Sequence, residues 1–335
     1  MKPIAITIGC PSGIGPEVAL AAVAADSSGV VLVGDVATLF ARAVLVGVAK
    51  DRLRAIDCMR DMRKLPSDAI AVVQASAVLA ARDRQPGKPT KATGVAQLEF
   101  IDRALSLVTE GEASAIVTGP VNKEVIVKSG LLRARRFRGH TEYLEERTGA
   151  PPVTMAFWSE KLTTSLVTTH LPISKVARAI TVEGVRRATV HVTELMLRLG
   201  IAAPRIVVSG LNPHAGEGGL LGKEESRVIA PAIALARAHF KRNRGVSISG
   251  PVPAESAFRL AVSGAFDAVV AMYHDQATIP MKLVGFGDAV NVTLGLPIVR
   301  TSVDHGTGYD RAGKGTADAA GMRAAVELAR RLRTS

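Results

Sequence analysis

The sequence contains few cysteines, few aromatic residues and no long apolar run. Cys10 and Cys58 are the two cysteines among 335 residues, and they form no CxxC pair, so a disulfide framework is excluded. No segment reaches the ~20 uninterrupted apolar residues that a membrane-spanning helix needs. Gly and Pro also interrupt the amino-terminal apolar run before it has the length of a signal-peptide core. The sequence therefore predicts a cytoplasmic protein without a membrane partner.

The composition favours a folded α/β protein over a disordered chain. Hydrophobic residues make up 47% of the sequence and charged residues 21%. These fractions allow a large buried core and, at this length, about two domains. Because aromatic residues are only 4%, aliphatic side chains must fill the contacts between helices and strands, as is typical of α/β proteins.

The formal net charge of +12 is compatible with two classes of partner. Nucleic acid is one class, and anionic small molecules such as phosphates and dinucleotides are the other. The positive charge is scattered, and its densest cluster holds one aromatic residue and no nucleic-acid-binding motif: Arg133, Arg135, Arg136 and Arg138, with Phe137. We therefore predict no nucleic-acid partner.

Short apolar runs alternate with helix-like stretches along the chain. Strands are predicted at residues 4–8, 29–33, 69–73, 115–117, 155–158, 164–168, 205–208 and 268–272, and β-like segments at residues 290–294 and 297–299. Amphipathic helices are predicted at residues 94–110, 182–199, 223–240 and 317–332. This alternation predicts two domains, each with a mainly parallel sheet covered by helices. Gly, Pro, His and Asn cluster just after the strands, where open α/β sheets bind ligands.

A glycine-rich segment, residues 9–17 (GCPSGIGPE), follows the first predicted strand. Its glycines and the helix start behind them suit either a structural turn or a loop at a ligand cleft. The spacing superficially matches the dinucleotide loop of short-chain dehydrogenases. That class also requires a Tyr-x-x-x-Lys pair, and the pair is missing, since the residues four positions after Tyr143, Tyr273 and Tyr309 are Arg147, Ala277 and Gly313.

Several polar side chains are candidates for binding an anionic substrate. Lys123 follows a strand, while His140 and Thr141 stand where a helix is expected to begin, a position that suits phosphate. The structural alternatives are a solvated lysine and a threonine helix cap. Further along, a Lys and an Arg that together can hold a phosphate occur with an Asn among β-like segments: Lys282, Arg300 and Asn291.

Three histidines each follow a predicted strand: His170, His214 and His274. If these strand ends meet, three imidazoles suit zinc or a similar divalent ion acting as a Lewis acid. Their separations in sequence match no local metal signature, so a hydrogen-bonded core or surface histidine stays the alternative for each. The glycine-rich run 305–315 can in addition let a cofactor approach the backbone.

Taken together, these segments resemble the 4-hydroxythreonine-4-phosphate dehydrogenase family of vitamin B6 synthesis. The matching blocks run in order from Ile6 to Asp318: GCPSGIGPE, TGPVNKEVI, FRGHTEYLEERTG, TTHLP, GLNPHAGEGG, GPVPAESAF, MYHDQATIPMKL and VNVTLGLPIVRTSVDHGTGYDRAGKG. Residues 305–315 are also similar to the adenosine-binding H-G-[ST]-x-x-D-x-A-G-K-G loop of isopropylmalate and isocitrate dehydrogenases. The resemblance implies their fold, two α/β/α domains with a cleft between them. Residues 1–125 and 275–335 would form the cofactor-side domain, and residues 126–274 the domain with metal ligands and dimer contacts.

The resemblance also implies a role for each candidate residue. A divalent metal, zinc before magnesium or cobalt, would be bound at the interface of a homodimer by His170, His214 and His274. The phosphorylated substrate would be contacted by His140, Thr141, Lys282, Asn291 and Arg300. NAD would be held by the loop that contains His305, Gly306, Thr307, Asp310 and Gly313.

The implied reaction oxidises the C3 hydroxyl of 4-phosphohydroxy-L-threonine, and loss of the carboxylate then gives 3-amino-2-oxopropyl phosphate. A general base must take the hydroxyl proton; Lys282 is the first candidate and Asp275 the second. One position departs from the family, which usually has an acidic residue where this chain has Cys10.

Three alternatives to this reaction stay open at the level of sequence. The nearest is a paralogue acting on 4-phospho-D-threonate or 4-phospho-D-erythronate. A relative that oxidises non-phosphorylated cyclic diols is disfavoured by the phosphate-type GHTE segment. A phosphate acyltransferase-like or non-catalytic ligand-binding protein would show no NAD-dependent absorbance change.

Overall fold

The computed structural model describes residues 2–285 and 287–333. Its strands are, in chain order, β1 (Ile4–Thr7), β2 (Val30–Gly34), β3 (Leu53–Ile56), β4 (Ile70–Gln74), β5 (Ala115–Thr118), β6 (Thr154–Trp158), β7 (Thr163–Leu166), β8 (Arg205–Ser209), β9 (Ser247–Val252), β10 (Ala268–Ala271), β11 (Val290–Leu294) and β12 (Val299–Val303). Its α-helices are α1 (Gly15–Val23), α2 (Val36–Ala43), α3 (Lys91–Thr109), α4 (Lys123–Val127), α5 (His140–Thr148), α6 (Ile173–Ala179), α7 (Val182–Arg198), α8 (Ala230–His239), α9 (Ala254–Val262), α10 (His274–Val284) and α11 (Ala320–Arg333). The predicted α/β class is confirmed.

The contacts within the chain divide it into two units. Unit 1 runs up to Ala150 and resumes at Leu296, and unit 2 comprises Pro151–Gly295. The sequence predicted domain boundaries at 125/126 and 274/275. That prediction also placed both ends of the chain in one domain, but its boundaries differ from those of the two units. α5 belongs to unit 1 because Tyr143 and Leu144 are buried in that unit's core. β11 belongs to unit 2 because it pairs with β6.

Unit 1 contains a parallel sheet in the order β3-β4-β2-β1-β5-β12. Its central strand β1, with the sequence IAIT, is buried at every position, as expected for a parallel strand that is covered on both faces. α3 begins at a capping box made by Thr90 and Thr93, and its Leu98 and Ile101 pack in the core that contains Ala5 of β1. The glycine-rich residues 9–17 leave the carboxyl end of this central strand.

Unit 2 contains a mixed sheet in the order β11-β6-β7-β10-β8-β9. β6 is antiparallel to β11 and to β7, and the predicted turn around Ser159 connects β6 with β7. β7, β10, β8 and β9 are parallel neighbours. The loops that follow β7, β10 and β8 therefore leave the sheet at one edge.

The predicted helix 223–240 is interrupted near its start. One π-helical turn, Glu225–Ile229, precedes α8. Pro231, in the first turn of α8, has no backbone N–H to continue a regular hydrogen-bond ladder into the preceding turn. Within the described residues, no helix combines the length and the apolarity needed to span a membrane.

Candidate active site

Three neighbouring strands of unit 2 each lead to one of the predicted metal ligands. β7 precedes His170, β10 precedes His274 and β8 precedes His214. The pairing aligns the last residues of β7 and β10 and places β8 on the other side of β10. The strand order explains how histidines far apart in sequence share one end of a sheet, where α/β proteins bind ligands.

The structure brings His170 and His274 together. Their ring centroids are 5.5 Å apart. The two loops are joined by Thr168, whose Oγ1 donates to the carbonyl of Met272 at 2.7 Å and whose N–H donates to the same oxygen at 3.2 Å. Two imidazoles on one tetrahedral zinc ion, with Zn–N bonds of about 2.0–2.1 Å, have centroids roughly 5 Å apart. The separation of this pair fits a shared metal ion.

His274 also has the hydrogen-bond partner that a metal-binding histidine commonly has. Its Nδ1 lies 2.7 Å from Oδ1 of Asp275. A carboxylate that accepts from Nδ1–H leaves Nε2 as the nitrogen that can bind a metal and raises its basicity. Asp275, the second candidate for the general base, is thus placed against a predicted metal ligand. The described part of the chain contains no group of three His, Cys, Asp or Glu side chains arranged around a common metal position.

His214 lies on an unusual backbone turn. Five successive residues, 214–218, have φ between 44° and 82°, and three of them are not glycine: His214, Ala215 and Glu217. A left-handed conformation costs a non-glycine residue about 1–2 kcal/mol, and such strain persists only where surrounding contacts impose it. The contacts that hold this turn come from the π-helical turn.

Glu225, in that π-helical turn, is 5% exposed and accepts three hydrogen bonds from the segment before His214. Its Oε1 accepts from the N–H of Leu211 at 2.9 Å and from the N–H of Asn212 at 2.8 Å. Its Oε2 accepts from Nδ2 of Asn212 at 3.0 Å. The neighbouring Glu224 accepts from the same Nδ2 at 2.8 Å. Glu225 therefore fixes the entry to the turn.

Gln276 connects the ends of β8 and β10. Its Oε1 accepts from the N–H of Met272 at 2.6 Å and from the Oγ of Ser209 at 3.1 Å, and its Nε2 donates to the carbonyl of Gly210 at 2.9 Å. The loops that lead to His214 and His274 are thus held at a fixed spacing. The sequence analysis missed both Gln276 and Glu225.

The other predicted catalytic and substrate residues of unit 2 occupy two elements. Lys282 lies exposed in the last turn of α10, eight residues after His274 and hence about two helical turns away. Asn291 lies in β11, opposite Phe157 of β6.

In unit 1, the predicted substrate residues His140 and Arg300 lie close enough to interact electrostatically. The positive charge of Lys123 also acts on His140. His140 is the first residue of α5, which confirms the predicted helix start, and its Nε2 is buried with no hydrogen-bond partner among the described residues. The helix has Gly139 as its N-cap and no side-chain cap, so the threonine-cap interpretation of Thr141 is wrong. The Phe137 ring lies edge-on to the His140 ring at 6.3 Å.

The protonation of these groups follows from their burial. Burial, reinforced by the positive charges of Arg300 and Lys123, holds the pKa of His140 well below 6.5, so its imidazole is neutral at pH 7. Burial lowers the pKa of Arg300 to about 9, against the opposing effect of Glu142, so the guanidinium remains charged. Its Nη2 donates to Oγ1 of Thr118 at 2.8 Å. A neutral imidazole beside two cations suits a phosphate group.

The predicted cofactor loop, residues 305–315, packs against the glycine-rich residues 9–17. The N–H of Ile14 donates to the carbonyl of Thr307 at 2.9 Å. At the other end of the loop, the Glu17 carboxylate accepts from the N–H of Gly313 at 2.6 Å and from that of Gly315 at 3.0 Å. Of the two interpretations of residues 9–17, the structure therefore favours the structural one, in which they support the loop 305–315. The sequence had given no sign that these two segments are in contact.

The loop itself has features that suit a nucleotide. The Nδ1 of His305 lies 3.0 Å from the carbonyl of Gly306, while its Nε2 is buried and finds no hydrogen-bond partner within the described ranges. A Cβ at Gly306 would meet nothing within 4 Å, which leaves room for a ligand near the backbone. Asp310 is exposed in the same loop.

Cys10, the departure from the family pattern, is fully buried. Its Sγ lies 3.4 Å from the hydroxyl of Tyr309. Burial raises the pKa of the thiol, so the side chain is uncharged at neutral pH. A family member with a carboxylate here would carry a negative charge next to this tyrosine, and this chain does not.

Comparison with known proteins gives consistent results over nearly the whole chain. The family described as "Pyridoxal phosphate biosynthetic protein PdxA" matches residues 26–329. The 4-hydroxythreonine-4-phosphate dehydrogenase of Geobacter metallireducens is 43% identical over 331 residues, which are 97% of this chain and 94% of that protein.

Solved structures agree with the sequence relatives. The crystal structure of 4-hydroxythreonine-4-phosphate dehydrogenase from Klebsiella pneumoniae is 36% identical, with a TM-score of 0.84, and the match covers 99% of this chain and 100% of that one. A terephthalate 1,2-cis-dihydrodiol dehydrogenase from Burkholderia xenovorans is 30% identical, with a TM-score of 0.68 and coverage of 98% and 97%. The chain therefore belongs to the family of the pyridoxal phosphate biosynthetic protein PdxA.

Proposed function

We propose that this protein is an NAD- and metal-dependent dehydrogenase of pyridoxal phosphate biosynthesis. It oxidises 4-phosphohydroxy-L-threonine to a 3-keto acid, which loses carbon dioxide to give 3-amino-2-oxopropyl phosphate. Membership of the family supports the reaction class. The observation that carries the choice of a phosphorylated substrate is the buried Nε2 of His140, which has no hydrogen-bond partner among the described residues, together with the nearby positive charges of Arg300 and Lys123.

The residues that hold the phosphorylated substrate are those that the sequence singled out. In unit 1, His140 donates from its neutral ring and Arg300 supplies a fixed positive charge, with Thr141 beside them at the start of α5. In unit 2, Lys282 and Asn291 are the further substrate contacts. The positive charges of Arg300 and Lys123 near His140 suit an anionic group, and a cyclic diol offers none.

A divalent metal, zinc in the first place and magnesium or cobalt otherwise, would be held by His170, His214 and His274. The donor set fits, because the first and last of these rings have the separation expected of two ligands of one ion and His274 is oriented by Asp275. When bound, the ion supplies Lewis-acid polarisation of the substrate hydroxyl and of the carbonyl that replaces it.

NAD would be bound by the loop that contains His305, Gly306, Thr307, Asp310 and Gly313. The buried Nε2 of His305 and the open space at Gly306 support this assignment. The protein's part would be to hold the nucleotide, and the nicotinamide would supply the hydride acceptor for oxidation at C3 of the substrate.

Lys282 is the proposed general base. Its side chain, as the unprotonated amine, would take the proton of the C3 hydroxyl during the oxidation. The bond between C2 and the carboxylate then breaks, and carbon dioxide departs with the electron pair left on the substrate. Asp275 is the less suitable base, because its carboxylate is already engaged by His274.

We propose a homodimer whose interface covers the metal site. Large apolar side chains stand exposed beside each of the three histidines: Leu171 and Ile173, Leu220 and Leu221, and Ile279 and Leu283. Leu220 is 85% exposed, Leu283 80% and Ile173 70%, and large exposed apolar side chains in the segments that follow the three histidines favour an interface there. Sedimentation analysis is expected to give a dimer, and Leu220→Glu is expected to weaken it.

The proposed reaction is tested by following NADH formation at 340 nm with 4-phosphohydroxy-L-threonine, and in parallel with 4-phospho-D-threonate and 4-phospho-D-erythronate. Turnover of the first substrate in clear preference is the expected result. Preference for either of the other two would move the protein to the paralogous reaction, which the names of the relatives do not favour.

A further inference from the structure

One buried carboxylate contacts the proposed cofactor loop without being part of it. Glu17, in the first turn of α1, is 1% exposed. Each of its two oxygens accepts one backbone N–H, from Gly313 at 2.6 Å and from Gly315 at 3.0 Å. The two glycines are almost 300 residues away in sequence, so this is a tertiary contact and not a helix cap.

A buried cation accompanies this carboxylate. Nε of Arg42, in α2, lies 3.8 Å from Oε1 of Glu17, and the two side chains are 6% and 1% exposed. Nη2 of Arg42 donates to the carbonyl of Arg84 at 3.3 Å. Burial lowers the pKa of Arg42 while Glu17 opposes that change. Because an isolated buried charge is costly, the two opposite charges compensate each other in this buried position.

The backbone that Glu17 contacts has little freedom to move elsewhere. Gly313 and Gly315 have φ of +80° and +65°, which glycine adopts at low cost. A Cβ at Gly313 would overlap Pro86, and a Cβ at Gly315 would overlap the carbonyl of Leu45. These close contacts fix where the loop ends, and the carboxylate fixes how its two amides point.

We propose that Glu17 is a positioning residue that holds the loop 305–315 in the conformation that binds NAD. This inference rests on the proposed function, since it assumes that the loop binds the cofactor. Glu17 does not contact the cofactor; it acts through Gly313 and Gly315. When part of the population leaves the binding conformation, the apparent dissociation constant rises in inverse proportion to the fraction of molecules that remain in it.

Replacement of Glu17 by Gln retains the size of the side chain but removes the charge and one acceptor. A glutamine NH₂ cannot accept from a backbone N–H, so one of the two glycine amides loses its partner and Arg42 loses its counter-charge. We expect the dissociation constant for NAD to rise about tenfold, which corresponds to ~1.4 kcal/mol. Glu17→Asp keeps the charge but retracts it by about 1.5 Å, and we expect an intermediate effect.

Asp35→Asn is the matched control. Asp35 is another fully buried carboxylate of unit 1, and it accepts from Thr38, Gln74 and Leu79 but not from the cofactor loop. Its loss is expected to lower the free energy of unfolding and to leave NAD affinity unchanged. The control therefore separates a general loss of stability from a loss of loop positioning.

The experiment combines calorimetric titration of NAD with amide hydrogen exchange of the NAD-free protein. The expected result is weaker NAD binding and faster exchange of the 307–315 peptide in Glu17→Gln, with Glu17→Asp intermediate and Asp35→Asn unchanged in both. Equal NAD affinity and equal exchange in Glu17→Gln and the unsubstituted protein would overturn the inference, as would equal weakening by Asp35→Asn. If the unsubstituted protein does not bind NAD, the proposed function fails, and unchanged exchange in Glu17→Gln would separately refute the contact.

Discussion

Replacement of Glu225 by Ala is expected to release the left-handed turn that carries His214. The substitution removes the acceptor of two backbone N–H groups, those of Leu211 and Asn212, together with that of the Asn212 side chain. A partly buried donor without an acceptor costs about 1–3 kcal/mol, so the two backbone groups alone give ~3 kcal/mol. We expect the free energy of unfolding to fall by that amount.

Besides this loss of overall stability, we expect a local change in the left-handed turn. His214, Ala215 and Glu217 each have positive φ, at a cost of about 1 kcal/mol or more per residue. Once the carboxylate is removed, the turn can relax to an ordinary conformation and carry His214 away from the neighbouring strand ends. Zinc affinity is therefore expected to fall by at least ~10-fold, the lower end of the effect of residues that orient metal ligands.

Two further substitutions test whether the loss of stability and of zinc affinity follows the number of hydrogen bonds removed. In Glu225→Gln, the remaining Oε1 can keep both backbone hydrogen bonds, while its NH₂ opposes Nδ2 of Asn212; we expect a loss of ~1–2 kcal/mol. Glu224→Gln is the matched control, because Glu224 accepts one hydrogen bond from the same Nδ2 and holds no backbone amide of the turn. We expect a loss below ~1 kcal/mol for this variant and no change in zinc affinity.

Urea unfolding and zinc titration against a chromogenic competitor measure the two effects. The account predicts the order Ala, then Gln, then the Glu224 control in both stability and zinc affinity. A Glu225→Ala variant that loses stability but binds zinc as tightly as the unsubstituted protein would refute the argument that this carboxylate positions His214.

Three other predictions follow from the structure. Burial, with the charges of Arg187 and Arg186, lowers the pKa of His191 from 6.5 to about 4. As the pH falls, the unfolded chain therefore binds a proton at this histidine before the folded protein does, so this group leaves stability constant above pH 6.5 and lowers it between pH 6.5 and 4. His191→Gln should flatten that decline in the free energy of unfolding measured with urea, and an unaltered pH dependence would contradict the assignment. His140→Ala should raise KM for the phosphorylated substrate at least ~10-fold because the proposed phosphate contact would be lost, whereas an unchanged KM would remove His140 from the proposed phosphate site. Gly315→Ala places a Cβ on the carbonyl of Leu45 at φ +65° and should lower the free energy of unfolding by ~2 kcal/mol or more; a denaturant midpoint equal to that of the unsubstituted protein would show that the loop is not held there.

Strands that are buried at every position were predicted from sequence, whereas two of the strands at the ends of the unit sheets were not. β1 and β5 are uninterrupted apolar runs and are buried at every position, so their pattern indicates a parallel strand directly. β3 and β9 were missed, and each is the outermost strand of its unit. β3 has exposed residues at its centre, and β9 contains Gly250 and Pro251, which favour loops except at sheet edges.

The sequence could nominate residues for the candidate site but not the contacts among them. The three histidines could be placed after strands, but the order β7-β10-β8 that makes those strands neighbours depends on tertiary packing. The supporting side chains gave still less signal. Gln276, Glu225 and Glu17 form hydrogen bonds with backbone amides and carbonyls. Since every residue type has a backbone, the sequence does not show which residues are their partners.

The choice between the two candidate general bases shows another limit of prediction from sequence. Asp275 and Lys282 are both polar residues of α10 close to a predicted ligand, and their spacing alone could not rank them. The contact of Asp275 with Nδ1 of His274 at 2.7 Å supports the proposal that Asp275 orients this histidine and that Lys282 is the general base.

The central claim is that the histidines at three strand ends form a metal site on which NAD-dependent oxidation depends. The most direct test measures NADH formation at 340 nm with 4-phosphohydroxy-L-threonine before chelation, after chelation and after zinc is restored, in the unsubstituted protein and in His274→Ala. The account predicts turnover that is lost on chelation and restored by zinc in the unsubstituted protein, and turnover that zinc does not restore in His274→Ala. Undiminished NADH formation after complete removal of metal, or full activity of His274→Ala, would contradict it.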